Sequence, residues 1–135
     1  SPFDGLGTNV NYTWTDSSVT IFGRESELPF FKQSDQIGNA ALLYRKYGIE
    51  AQLSLSFQGP SLLSVGANAA AAVFSDWYTP LDAKVSFPVT RILRAFFEAR
   101  NLNDEPRIRY AGVPSRRTAH EIYSRDFYAG IDWRF

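Results

Sequence analysis

The chain has 135 residues, which makes it one domain or a piece of one. Its 14 basic and 14 acidic side chains cancel, without the basic excess of a nucleic-acid binder. It holds no cysteine and one histidine, which excludes disulfide frameworks, thiolate zinc sites and cysteine nucleophiles and argues against other metal sites or a Ser-His-Asp triad.

The longest apolar run, Ala69 to Phe74, has six residues, far short of the roughly 20 that a transmembrane helix needs. No signal peptide is visible. The chain starts at Ser1 and contains no methionine, so it reads as a mature product, an excised fragment or part of something longer.

In chain order, Val10, Tyr12 and Trp14 alternate with Asn11, Thr13 and Thr15, the period-two pattern of a strand with two unlike faces. A polar link follows at about 20–35. Asn39 to Tyr47 is rich in Ala, Leu, Arg and Lys, which favour a helix with Gly48 as its cap. It also lies one tight turn from the next strand, which favours a strand. Ile49, Ala51, Leu53, Leu55 and Phe57 then alternate with Glu50, Gln52, Ser54, Ser56 and Gln58. A second link, 59–76, contains the low-information tract Ala67 to Ala72, for which there is no functional reading. Leu81, Ala83, Val85, Phe87 and Val89 alternate with Asp82, Lys84 and Ser86. Ile92 to Leu102 fits helical spacing and strand alternation alike; the short turn at 88–91 favours the strand. After a third link, 101–120, Phe127, Ala129, Ile131, Trp133 and Phe135 alternate with Tyr128, Gly130, Asp132 and Arg134.

The expectation is an all-β chain of about six antiparallel strands, with tight turns and long links in alternation. That is the layout of outer-membrane barrels. On the assigned strands one face carries no charge, whereas the other carries Arg45, Glu50, Asp82, Lys84, Arg94, Glu98, Arg100, Asp132 and Arg134 among small Ser, Thr and Gly residues. A polar lumen would look like the second face. Aromatics gather near strand ends (Tyr12, Trp14, Tyr44, Tyr47, Trp77, Tyr78, Tyr123, Trp133 and Phe135), as in the girdles of membrane barrels or as ordinary core residues.

The last residues, Tyr128-Ala129-Gly130-Ile131-Asp132-Trp133-Arg134-Phe135, resemble the C-terminal assembly signal of bacterial outer-membrane proteins, with Tyr128, Gly130, Trp133 and Phe135 at its marked positions. A strand of that kind can pair through its main chain with the barrel assembly machinery. Leu28 to Asp35 leading into Asn39 to Tyr44, Pro80-Leu81-Asp82, Phe97 to Pro106 with its Asn101-Leu102-Asn103-Asp104, and Tyr123 before the terminal strand together resemble the last part of the barrel of TonB-dependent outer-membrane receptors. The resemblance covers residues 9–135.

It implies a Gram-negative outer-membrane location and active uptake of a scarce nutrient, such as a siderophore-like or cobalamin-like compound, with no cofactor. It also implies as partners the TonB complex, acting through a plug, and lipopolysaccharide with the outer-membrane lipid. Family barrels have 22 strands, a plug and a TonB-contacting box; six strands without plug or box amount to scaffold. Two open edges in lipid would each be costly, so such a piece must complete a barrel with the rest of a longer protein, another chain or copies of itself.

Arg107, Arg109, Arg116, Arg117 and His120 in the third link form a candidate basic vestibule for anionic ligands, or else pair with neighbouring loops or lipopolysaccharide phosphates. Arg94, Glu98 and Arg100 are candidate lumen contacts, or pair with the wall or plug. Two alternatives stand beside transport: a structural or self-assembling outer-membrane barrel, and a soluble α+β domain with helices at 39–47 and 92–102. Catalysis is not expected, because no G-x-S-x-G, H-E-x-x-H or phosphate loop is present.

Overall fold

The structure is a computed structural model that describes residues 4–23 and 27–134. In chain order the strands are β1 (Leu6–Trp14), β2 (Ser18–Val19), β3 (Leu28–Pro29), β4 (Gln36–Lys46), β5 (Ile49–Gln58) and β6 (Ser61–Ser64). After them come β7 (Val73–Ser75), β8 (Leu81–Pro88), β9 (Leu93–Arg100), β10 (Arg107–Ala111), β11 (Arg117–Glu121) and β12 (Asp126–Trp133). No α-helix occurs among the described residues; the one helical turn is a 3-10 turn at Ala69–Ala71. The α+β alternative is therefore overturned. Both ambiguous segments are strands because their backbones are laddered on two sides, β4 between β1 and β5, and β9 between β8 and β12, and tertiary pairing overrides helix propensity.

The six long strands form one antiparallel sheet in the order β1-β4-β5-β8-β9-β12, here called the wall. Tyr47 and Gly48 both have positive φ, 54° and 78°, the backbone of a two-residue hairpin matched to strand twist. That turn and the one at 89–92 lie at one end of the wall. The three long connections, 15–35, 59–80 and 101–125, lie at the other, so the expected bias in connection length is present.

The long connections, read from the sequence only as long links that are polar or bear Gly and Pro, are not without strands of their own. They carry six short strands: a four-stranded sheet, β11-β10-β7-β6, and the ribbon β2-β3. This second layer, the cap, follows the order of the wall, since β5 runs into β6, β7 into β8, β9 into β10, and β11 into β12. The ladder is nearly unbroken between Gln58 and Ser61. Gln58 and Tyr78 exchange main-chain hydrogen bonds of 2.9 and 3.0 Å just below the Ser61–Ser75 pair.

The hydrophobic core sits in the cap. Leu62 is fully enclosed and clusters with Leu28 and Ala72, against Val19, Ile21 and Phe74; the Phe74 and Tyr110 rings stack at 5.5 Å. The alanine tract has a structural account here. Asn68 caps the turn by accepting from the Ala71 N–H (3.0 Å), and Ala72 is buried, its carbonyl accepting from the Gly112 N–H (2.9 Å).

The wall has no comparable core. Register sets Thr8, Leu42, Leu53, Ala83, Ala99 and Phe127 on one row of one face, and Val85, Phe97 and Ala129 on another. Nothing in the described chain covers this face: Val10 is 75% exposed, Phe97 44% and Ile131 66%. The total accessible surface is 9439 Å², against roughly 7,100 Å² for a compact monomer of this mass.

Candidate functional site

The opposite face of the wall is the polar one, and its side chains pair across strands. Gln52, Lys84, Glu98 and Tyr128 form one row across β5, β8, β9 and β12. Glu98 lies between two cations, 2.6 Å from the Arg100 guanidinium and 3.9 Å from the Lys84 ammonium, and Arg100 also stands 5.1 Å over the Tyr128 ring. Gln52, Ser54, Asp82, Lys84, Glu98 and Arg100 line a shallow depression. Glu98 and Arg100 are thus brought together as sequence reasoning placed them. Arg94 is not with them: it donates to the Ser86 hydroxyl (2.9 Å) and the Gly48 carbonyl (3.0 Å) at the tight-turn end. Asn39 donates to Ser56 (3.0 Å), and Arg45 pairs with Glu50 at 3.5 Å.

The five candidate basic residues of the third connection divide. Arg107 and Arg109 lie on β10, where they line a cleft with Tyr78, Asp76, Ser75 and Gln58. The Arg107 guanidinium stacks 4.1 Å from the centre of the Tyr78 ring, and Arg109 is 3.0 Å from the Glu121 carboxylate. Glu121 also accepts from the Tyr123 hydroxyl (2.7 Å), and this hydrogen bond holds the Tyr123 pKa above its ordinary value. Arg116 reaches the Ala70 carbonyl (3.4 Å). Arg117 faces Tyr110 and His120 faces Ile108 in the β10–β11 register, and both are exposed. A cleft with two cations, one carboxylate from Asp76 and an aromatic face can take an anionic or planar group. The five residues do not converge as one basic vestibule.

Sequence reasoning missed Tyr78 as the partner of Arg107 and Asp76 as a neighbour in the same cleft. Alternation in Arg107-Ile108-Arg109-Tyr110 is the signal that could have put both guanidinium groups on one side of a strand. It also missed the fixed turn after β9. Asn101, only 7% exposed and at φ 53°, donates its side-chain amide to the carbonyls of Ser124 (3.1 Å) and Glu105 (3.3 Å) and accepts from the Glu105 N–H (2.8 Å). Its own N–H goes to the Asp82 carboxylate (2.9 Å). Two residues on, Asn103 accepts from the Leu81 N–H and donates to the Thr79 carbonyl. The Asn-Leu-Asn-Asp stretch therefore ties β8, β9 and the approach to β12 together at the joint between wall and cap.

Of the terminal signal, Tyr128 and Gly130 lie on the polar face and Trp133 on the apolar face; Phe135 lies outside the described residues. Gly130 is opposite Phe96, and a Cβ there would fall 2.5 Å from the ring, so the glycine is required for the aromatic to cross it.

Among the described residues no group of three or more His, Asp or Glu is placed to hold a metal ion, and no helix is long and apolar enough to cross a membrane. No protein-family model, curated protein or solved structure matches the chain.

Proposed function

We propose that the chain is the C-terminal barrel segment of an outer-membrane active transporter for a scarce nutrient, such as a siderophore-like ligand, energised through the TonB complex. One observation carries the reading: the wall leaves an apolar face open and gathers nearly all its charges on the other side, where Arg45–Glu50 and Lys84–Glu98–Arg100 pair. Across the described wall strands the one charged side chain on the apolar face is Lys46, at the turn end, where Asp4 lies 3.6 Å away. Water would penalise this arrangement, because exposed apolar patches on soluble monomers rarely exceed a few hundred Å². Hydrocarbon would favour it, and a polar lumen would suit the Lys84–Glu98–Arg100 face. Exposed rings at both ends of the wall (Tyr12 and Trp14 at one, Tyr47 and Trp133 at the other) suit the two interfaces.

In this reading the cap stands outside the cell, the tight turns face the periplasm, and β1 and β12 join the remainder of the barrel, whose lumen holds the plug. Lipopolysaccharide meets the outer rim. Uptake provides the test, in a Gram-negative host that lacks its own receptors. Accumulation of ferric siderophore or cobalamin should require both the whole protein, found in the outer-membrane fraction, and an intact TonB. Recovery in the aqueous fraction without detergent would overturn the membrane reading. Outer-membrane location with TonB-independent permeation would favour a structural or self-assembling barrel instead.

A further inference from the structure

Each pair of neighbours in the wall is joined again in the cap. β1–β4 below becomes β2–β3 above, β5–β8 becomes β6–β7, β8–β9 becomes β7–β10, and β9–β12 becomes β10–β11. The remaining pair, β4–β5, has its counterpart in the antiparallel bridge Ser34–Ser61, beside a parallel bridge between Phe31 and Leu62. Pairing above follows pairing below at every closed seam. Two seams remain open, at the free edges of β1 and β12. β11 is last in the cap as β12 is last in the wall, and the two are joined by residues 122–125 alone. Their open edges lie on the same side.

We infer that both edges are taken by one ascending, kinked strand of the same barrel, which pairs with β12 first and then with β11. This rests on the barrel reading above and goes beyond it, because closure in the membrane requires a partner for β12 only. All the wall seams are antiparallel, so the partner of the descending β12 rises. It must remain extended beside residues 117–133, a reach of roughly 55 Å at about 3.3 Å per residue. A strand that only crosses the bilayer needs about 9–11 residues. Its outward side chains are apolar, to continue Phe127, Ile131 and Trp133. Its inward side carries a cation beside Asp132, since Arg94, opposite Asp132 on β9, gives its guanidinium to Ser86 and Gly48.

Residue-resolved hydrogen exchange on the whole assembled protein in detergent micelles tests this without any substitution. In an edge strand alternate N–H groups point away from the sheet and exchange freely; in an interior strand none do. The expected result is slow exchange, by about tenfold or more relative to a free edge, at consecutive amides in both 117–121 and 126–133. Slow exchange throughout 126–133 with alternate fast amides in 117–121 overturns the inference and leaves the barrel reading standing. Alternate fast amides in both segments overturn the two together.

Discussion

Wall and cap are built from strands of the same chain in the same order, yet they reach stability by different routes. In the cap, short strands of two to five residues close around Leu62, Leu28 and Ala72. In the wall, strands of 8 to 11 residues bury little more than Gly38 and Ala99, and they depend on main-chain ladders and on whatever lies against their apolar face. Alternation in a sequence reports that a strand has two sides. It does not report what the greasy side meets, and these two regions give different answers to that question.

The sharpest way to break this contrast is a pair of substitutions, one in each region. Leu62→Ala should cost the cap about 2–5 kcal/mol, through lost transfer energy and a residual cavity, read as a lowered denaturation midpoint. Leu53→Arg should cost about 2–4 kcal/mol when the protein unfolds from lipid vesicles, whereas Gln52→Arg, one residue away on the polar face, should cost little. Equal tolerance at 52 and 53 would mean that hydrocarbon does not bathe the wall. At the joint, Asn101→Ala removes three side-chain hydrogen bonds and puts alanine in the left-handed region; a loss of about 1–3 kcal/mol is expected, with faster proteolysis in 101–106.

Alkali should loosen the cap. Burial, aided by Asp76, raises the Tyr110 pKa above its ordinary value. The folded state therefore retains a proton that the unfolded chain gives up above about pH 10. Stability from this group is complete below that pH and is lost as pH climbs toward the raised value; Tyr110→Phe should abolish this component of a pH titration. The smallest effect is expected for Arg109→Ala, which breaks a partly exposed ion pair with Glu121 worth less than about 1 kcal/mol. If a ligand occupies the cleft, the same change should weaken its binding by far more than it weakens the fold.

Four of the six wall strands, those at 10–15, 49–58, 81–89 and 127–135, and the division of their faces were legible in the sequence because each alternates over about three periods or more. The segments 39–47 and 92–102 were not decided by their own residues, and it took the ladders on both sides to settle them. The cap was hidden because strands such as Val73–Ser75 are too short to show a period and their partners lie in other connections. Glu98 and Arg100 could be placed together because they are two apart on one strand. Arg107 and Tyr78 could not, since 29 positions separate them and only the shared β5–β8–β9 order brings the two connections side by side.

Pro60, Pro80 and Pro106 each stand at a joint between a wall strand and a cap strand. Proline brings no N–H to a ladder, and main chain that leaves its ladder is intolerable in oil but harmless where solvent can satisfy it. For a barrel immersed in lipid, this row of rings is a draught mark: the water line cannot lie higher than the prolines, and the depth of the hull is the length of strand beneath them.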